Sequence, residues 1–294
     1  MAAQGNLSPV GTYTIFLCYT NRGMEKNKKV ILVTGASSGI GHATALLLSK
    51  SGYKVYGSIR RPNLDAAPFE IVTMDVTDED SVNACAAGVL SREGRIDVAV
   101  NCAGYGIAGA VEDTSILEAQ QQFDTNLFGT LRVCRAVLPG MRERGQGLIV
   151  NISSMGGLIS APFHGLYCAS KFAVEGVTEA LRMEAAPFGV RVALVEPGDF
   201  KTKFTENRLM TRESETNPAY KNLCAHSMAA MEKAEQNGPG PEHVARVIRK
   251  IVASKNPSLR YVAASGEQRI VPLARKFLPQ DLFEKLISSH FGLT

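Results

Sequence analysis

What this chain of 294 residues lacks narrows what it can be. Its six cysteines (Cys18, Cys85, Cys102, Cys134, Cys168, Cys224) form no Cys-x-x-Cys pair and join no cysteine–histidine cluster. That argues against a disulfide framework and a metal site, and favours reduced, mostly buried thiols of a cytoplasmic protein. No apolar run is long enough to span a bilayer. The stretch TYTIFLCYT at 12–20 has no basic region before it and no small-residue cleavage site after it, so it does not read as a signal peptide. Residues 1–23 are expected to be a poorly ordered extension ahead of Met24. Charge clusters are missing too: 32 Lys and Arg against 28 Asp and Glu lie scattered, a poor footprint for nucleic acid. No internal repeat and no linker appears, so residues 24–294 are expected to form one domain.

What is present is a strand–helix alternation. Short, nearly continuous apolar runs at 29–34, 54–59, 70–74, 96–100, 147–152, 190–195 and 259–263 suit strands buried on both faces. Helical patterns occupy 39–51, 79–93, 115–143, 166–187 and 241–253. The alternation predicts an α/β fold, a doubly wound Rossmann-type parallel sheet of about seven strands flanked by helices. Residues 199–240 are polar, run into NGPGP at 237–241, and read as a substrate loop with short helices. Two apolar-striped segments, 267–278 and 280–289, close the chain; Ile270, Leu273, Phe277, Leu282 and Leu286 are expected to pack on the core or on a partner subunit.

Between the first strand and the first helix, TGASSGIG places Gly35, Gly39 and Gly41. Glycines there permit a tight turn and a close approach of backbone to a diphosphate on the helix N-terminus. Further on, Tyr167 and Lys171 lie four residues apart, on one helix face, with Ser154 thirteen residues upstream of the tyrosine. An ammonium near a phenol favours its ionised form, which predicts a depressed pKa and proton exchange near neutrality. Taken singly, each residue also fits an ordinary role: Tyr167 a core aromatic, Lys171 a surface charge, Ser153 and Ser154 a strand end.

Together these motifs identify the chain as similar to the short-chain dehydrogenase/reductase family. The resemblance rests on TGASSGIG (34–41), NCAG (101–104), Asn126 in DTNLFG, Ser154 in NISS, YCASK (167–171) and Pro197-Gly198, and covers roughly 28–203. Residues 164–189 look especially like the branch with 17β-hydroxysteroid and retinol dehydrogenases. The resemblance implies hydride transfer between nicotinamide and a secondary alcohol or carbonyl carbon. It makes Tyr167 the general acid/base, Lys171 its electrostatic partner and ribose ligand, and Ser154 rather than Ser153 the holder of the substrate oxygen. Asn126 would secure a water joining Lys171 to solvent. Cofactor contacts are implied for Gly35, Ser37, Ser38, Gly39, Ile40, Gly41, Asn101, Ala103, Gly104, Pro197 and Gly198. Asp75 and Val76 would lie beside the adenine and Thr202 at the carboxamide; Asp75 also fits a helix cap. Two departures stand out: Cys102 where the family has a second Asn, and Asp199 after Pro197-Gly198.

The second strand ends in Arg60 and Arg61 without a carboxylate. A guanidinium accommodates a 2′-phosphate, so NADP(H) is expected over NAD(H), with Ser37 a second donor. The substrate is expected to be an apolar small-molecule alcohol or ketone, the assembly a homodimer or homotetramer built through the helices at 115–143 and 166–187. A 3-oxoacyl thioester reductase and a non-catalytic NADP(H)-sensing protein are the competing readings.

Overall fold

A computed structural model describes residues 28–61, 67–264 and 266–293; the expected extension 1–23 lies outside them. The strands are β1 Val30–Val33, β2 Lys54–Ile59, β3 Glu70–Thr73, β4 Val98–Asn101, β5 Ile107–Ala108, β6 Gly147–Ile152, β7 Val190–Pro197, β8 Leu209–Met210 and β9 Arg260–Ala263. Seven of them form one sheet in the order β3-β2-β1-β4-β6-β7-β9, every pair parallel. The chain winds outward from β1 to β3, returns to the middle, and winds the other way from β4. That reversal leaves a crevice beyond the carboxyl ends of β1 and β4.

Side chains alternate between the two faces of each strand, so each strand feeds two cores. Ile31, Val33, Val98 and Val100 pack with Leu48 of α1 (Gly39–Lys50) and with the helix Glu242–Ala253 through Val244, Ile248 and Ile251. Val30, Leu32, Ala99 and Ile149 pack on the opposite side, against Val82 and Val89 of α2 (Glu79–Glu93) and against Val133, Val137 and Met141.

Three regions differ from the sequence expectation. The predicted 115–143 helix is α3 (Ile116–Phe123), a π-helical turn (Asp124–Phe128) and α4 (Gly129–Glu143). It starts in a capping box between Ser115 and Glu118. After α5 (Gly165–Ala185), residues 199–240 prove not to be mainly loop, because α6 spans Lys221–Asn237 and β8 pairs with β5. The buried stripe of α6 is Cys224, Ser227, Met228, Met231 and Glu235, so polar members blur its helical period. Two-residue strands are too short for any period to register.

Beyond α7 (Glu242–Ala253), the chain closes with α8 (Val271–Phe277) and α9 (Gln280–His290). Here the expectation of packing on the core is overturned within this chain: Ile270, Leu273, Phe277, Leu282 and Leu286 are all exposed. No helix among the described residues is long and apolar enough to cross a membrane.

Candidate active site

The glycine turn is built by backbone packing. Gly35 has φ +67°, and a Cβ there would lie 2.9 Å from the Ala103 Cα; at Gly41 it would lie 2.3 Å from the Gly35 carbonyl oxygen. Any side chain would push the turn off β4. Thr34, buried at the end of β1, clamps the same junction by accepting from the Cys102 and Ala103 N–H groups at 3.0 Å each. Ser38 begins α1 in an extended conformation without making a side-chain cap, and no acidic residue occupies the first turn. By contrast Asp78 caps α2 by accepting from the N–H groups of Asp80 and Ser81. The open N–H groups of α1 and its positive dipole end therefore face the crevice, which suits an anion such as a diphosphate. Ser37 is exposed and Ile40 half-buried at this turn.

The neighbouring residues frame the same crevice. A Cβ on Gly39 would meet the Thr202 Cβ at 3.6 Å, so Thr202, after Pro197 and Gly198, overhangs the glycine turn. Arg60 is exposed at the end of β2. Burial pushes the Asp75 carboxyl up, but hydrogen bonds from Thr77 and the positive charges of Arg60 and Arg132 outweigh it and hold the group below its usual range. Asp75 accepts from the Thr77 N–H and hydroxyl, and Asp78 is the helix cap. Val76 packs on Gly129. Asn101 is buried, donating to Asn151, which donates to Thr178 of α5 at 2.9 Å. Its side chain thus ties β4 and β6 to α5 beneath the crevice floor.

The end of β6 brings the proton-handling residues into the same place. Tyr167 and Lys171 are both buried, one turn apart on α5, with the Lys171 Nζ 5.9 Å from the Tyr167 ring centroid. Lys171 donates to the Ile152 carbonyl at 2.9 Å, which fixes the ammonium under the strand end. Burial lowers its pKa to about 8. The expectation of a depressed tyrosine is corrected: burial dominates and pushes the phenol up, while a hydrogen bond with Ser154 opposes this.

Ser154 Oγ accepts from the Gly156 N–H at 3.0 Å, which leaves its proton free to donate. Ser153 is buried, and its hydroxyl finds no hydrogen-bond partner among the described residues. Asn126 sits in the π-helical turn, buried. It accepts from the Tyr105 N–H at 3.1 Å and donates to the Tyr105 carbonyl and to Ser170. Its side chain is therefore occupied with bracing the loop after β4. A Cβ on Gly104 would meet Asn126 Oδ1 at 3.0 Å and Lys171 Nζ at 3.7 Å, so that loop closes directly over the lysine.

The individual residues of the roof over Tyr167 are not legible in the sequence. Phe204 lies with its ring 5.5 Å from that of Tyr167 and fills the space above Gly106. His164 is buried 5.3 Å from Tyr167, ring to ring. Arg208 and Glu235 form a buried ion pair beyond Phe204. Nothing in a segment read as loop distinguishes Arg208 or Glu235 from surface charges.

The comparisons with known proteins agree with this geometry. A family model described as short chain dehydrogenase matches residues 29–213. The 3-ketodihydrosphingosine reductase of Bacteroides thetaiotaomicron is 42% identical over 265 residues, covering 90% of this chain and 98% of that protein. Human 17-beta-hydroxysteroid dehydrogenase type 1 is 35% identical over 269 residues, covering 84% and 80%. The crystal structure of a short-chain dehydrogenase from Streptomyces avermitilis superposes with a TM-score of 0.75 at 35% identity, over 89% of this chain and 95% of that one. With a Rossmann-type parallel sheet, a glycine turn at its switch point and a matching family model, this chain belongs to the short-chain dehydrogenase/reductase family of nicotinamide-dependent oxidoreductases.

Proposed function

We propose that this protein is an NADP(H)-dependent reductase that interconverts a ketone and a secondary alcohol on an apolar, lipid-like molecule. The observation that carries the reading is the convergence of Ser154, Tyr167 and Lys171 at the carboxyl end of β6, beside an uncapped glycine turn. Nicotinamide supplies the hydride when bound; the chain's own residues position the partners and move the proton. Tyr167 gives its phenolic proton to the carbonyl oxygen as the alkoxide forms. Ser154 donates to the same oxygen and orients it. Lys171 holds positive charge beside the developing phenolate, which opposes the effect of burial on Tyr167.

Arg60, exposed at the end of β2 near Asp75, supports NADP(H) over NAD(H) by offering a fork of donors to a 2′-phosphate. The uncapped α1 and the glycine turn would hold the diphosphate, and Gly104, Pro197, Gly198 and Thr202 would hold the nicotinamide end. An apolar substrate is supported by Phe204 over Tyr167 and by the cluster of Ala108, Phe163, Met228 and Met231. The Bacteroides thetaiotaomicron relative, 42% identical, is named a 3-ketodihydrosphingosine reductase, which makes a long-chain 3-ketone the first substrate to try. Buried thiols at Cys85, Cys134, Cys168 and Cys224 support a reducing, cytoplasmic setting. Assembly through α3–α4 and α5 is supported by exposed Phe128 and Met183.

The test is a panel of 3-ketodihydrosphingosine, steroid ketones, retinal and 3-oxoacyl thioesters, followed by NADPH and NADH consumption. Turnover of a long-chain ketone with NADPH is expected. Thioester reduction far exceeding that of every ketone would reassign the substrate class.

A further inference from the structure

The roof above Tyr167 contains a guanidinium three of whose five N–H groups find no acceptor among the described residues. The Arg208 side chain is 3% exposed and that of Glu235 is 9% exposed. Arg208 Nη2 donates to Glu235, and Thr205 donates to the other carboxylate oxygen at 2.5 Å. Nε and Nη1 of the same guanidinium are buried and find no acceptor among the described residues. Leaving such donors dry is costly, which calls for a further acceptor to meet them. Only one aromatic ring separates them from the chemistry. The Arg208 guanidinium carbon is 5.9 Å from the Phe204 centroid, which is 5.5 Å from that of Tyr167. His164, beside Tyr167, also leaves a buried nitrogen, Nε2, without a partner among the described residues; burial and the Arg208 charge hold this ring uncharged, with a pKa lowered to about 3.

We infer that Arg208 binds a neutral oxygen of the substrate, a hydroxyl or second carbonyl placed a few carbons from the reacting ketone. The partner must be an acceptor, because Nε and Nη1 only donate. It is neutral, because Glu235 already balances the guanidinium and an added anion would leave one buried charge uncompensated. Phe204 sets the spacing by standing between the two polar ends. The β5–β8 pairing, with the Leu209 N–H donating to the Gly106 carbonyl at 2.9 Å, holds Arg208 in place against the loop after β4. Arg208 is thus a specificity-determining residue that selects oxygenated ketones over plain ones of the same length.

The inference rests on the ketone-reductase reading and is tested by a ratio. Values of kcat/KM are compared for 3-ketodihydrosphingosine against its 1-deoxy form, and for a short β-hydroxyketone against the ketone without the hydroxyl. A charge-assisted hydrogen bond predicts a preference of roughly tenfold to a hundredfold for the hydroxylated member. Arg208→Lys keeps a cation against Glu235 but loses the fork, and the double variant Arg208→Gln/Glu235→Gln removes both charges together. In each, the ratio is expected to fall to near one. General damage to the fold would lower both members alike and leave the ratio standing. A ratio near one in the unaltered enzyme, or an unchanged ratio in both variants, overturns the inference while leaving the reductase reading intact. Binding of NADPH with no reduction of any ketone would overturn both.

Discussion

The glycine turn and the roof over Tyr167 are two parts of one site, built in different ways. At the turn, backbone meets backbone: Gly35 and Gly41 leave no room for a Cβ against Ala103 and the Gly35 carbonyl. The roof is a side-chain construction of Phe204, Arg208 and Glu235, carried by a two-residue strand and the helix α6. A backbone-built site restricts which residues can occupy it and keeps one shape for one ligand. Side chains meeting across a loop admit many residues and can be retuned to a new substrate without disturbing the cofactor end.

The largest expected effect lies where the two parts meet. Tyr167→Phe removes the transferable proton but keeps the ring packed between His164 and Phe204. A fall of about 10²–10⁴-fold in kcat, with NADPH affinity within a fewfold of the parent, is expected from steady-state rates and a fluorescence titration. Retained turnover on every responsive ketone would remove Tyr167 from the proton path.

Next comes the scaffold that joins them. Arg260 binds Glu175 and Glu179 of α5 and, at 2.8 Å, Glu196 of β7. Glu175 and Glu196 are buried, and burial raises both pKa values. Arg260→Met strands these two carboxylates. The expected loss is about 2 kcal/mol, below the ~3–5 range for a broken buried pair because the Arg260 side chain is 34% exposed. A carboxyl whose folded pKa is raised binds its proton more tightly when folded, so stability falls as pH rises through that folded value. The variant's deficit should therefore widen as pH rises above the ordinary carboxyl range in urea melts; a deficit that narrows as pH rises contradicts the arrangement.

Glycine substitutions sharpen the contrast inside the cofactor half. Gly41→Ala would force its Cβ to 2.3 Å from a backbone oxygen, and a loss of about 1–3 kcal/mol with weakened NADPH binding is expected. Gly88, inside α2 with nothing within 4 Å of an added Cβ, should instead gain about 0.5–1 kcal/mol on conversion to Ala. Equal responses at the two positions would show that the turn is not backbone-built. Arg60→Ala is smaller again, because the side chain is exposed. It is expected to lower NADPH affinity about tenfold while leaving NADH affinity unchanged, read by titration with each cofactor.

The same contrast explains what the sequence made legible. All seven strands of the large sheet lie within a few residues of their apolar runs; the inner strands β1, β4 and β6, buried on both faces, cannot carry polar residues freely. Ser154, Tyr167 and Lys171 were readable through spacing, since a helix turn and a strand end fix where those side chains meet. The π-helical turn that carries Asn126 was not, because one extra residue in a helix leaves no compositional trace. Nor was α6, whose buried stripe contains Ser227 and Glu235. Glu235 looks like a solvated charge until Arg208, 27 residues earlier, is brought against it by the fold.

The smallest expected effect concerns the end of the chain, where Leu273 and Phe277 are 55% and 75% exposed. Their stripe looks like a core-facing one in sequence, and a buried stripe would cost about 2–5 kcal/mol per large side chain truncated. Exposed side chains have little contact to lose. Leu273→Ser and Phe277→Ser together should change the unfolding free energy read from urea melts by no more than about 0.5 kcal/mol at low protein concentration. Phe283, buried in the neighbouring α9, is the internal control, and Phe283→Ser should destabilise by about 3 kcal/mol or more. If the exposed pair costs as much as Phe283, and the cost grows with protein concentration, a second subunit covers the stripe. The substrate half would then be completed by its neighbour rather than by its own core.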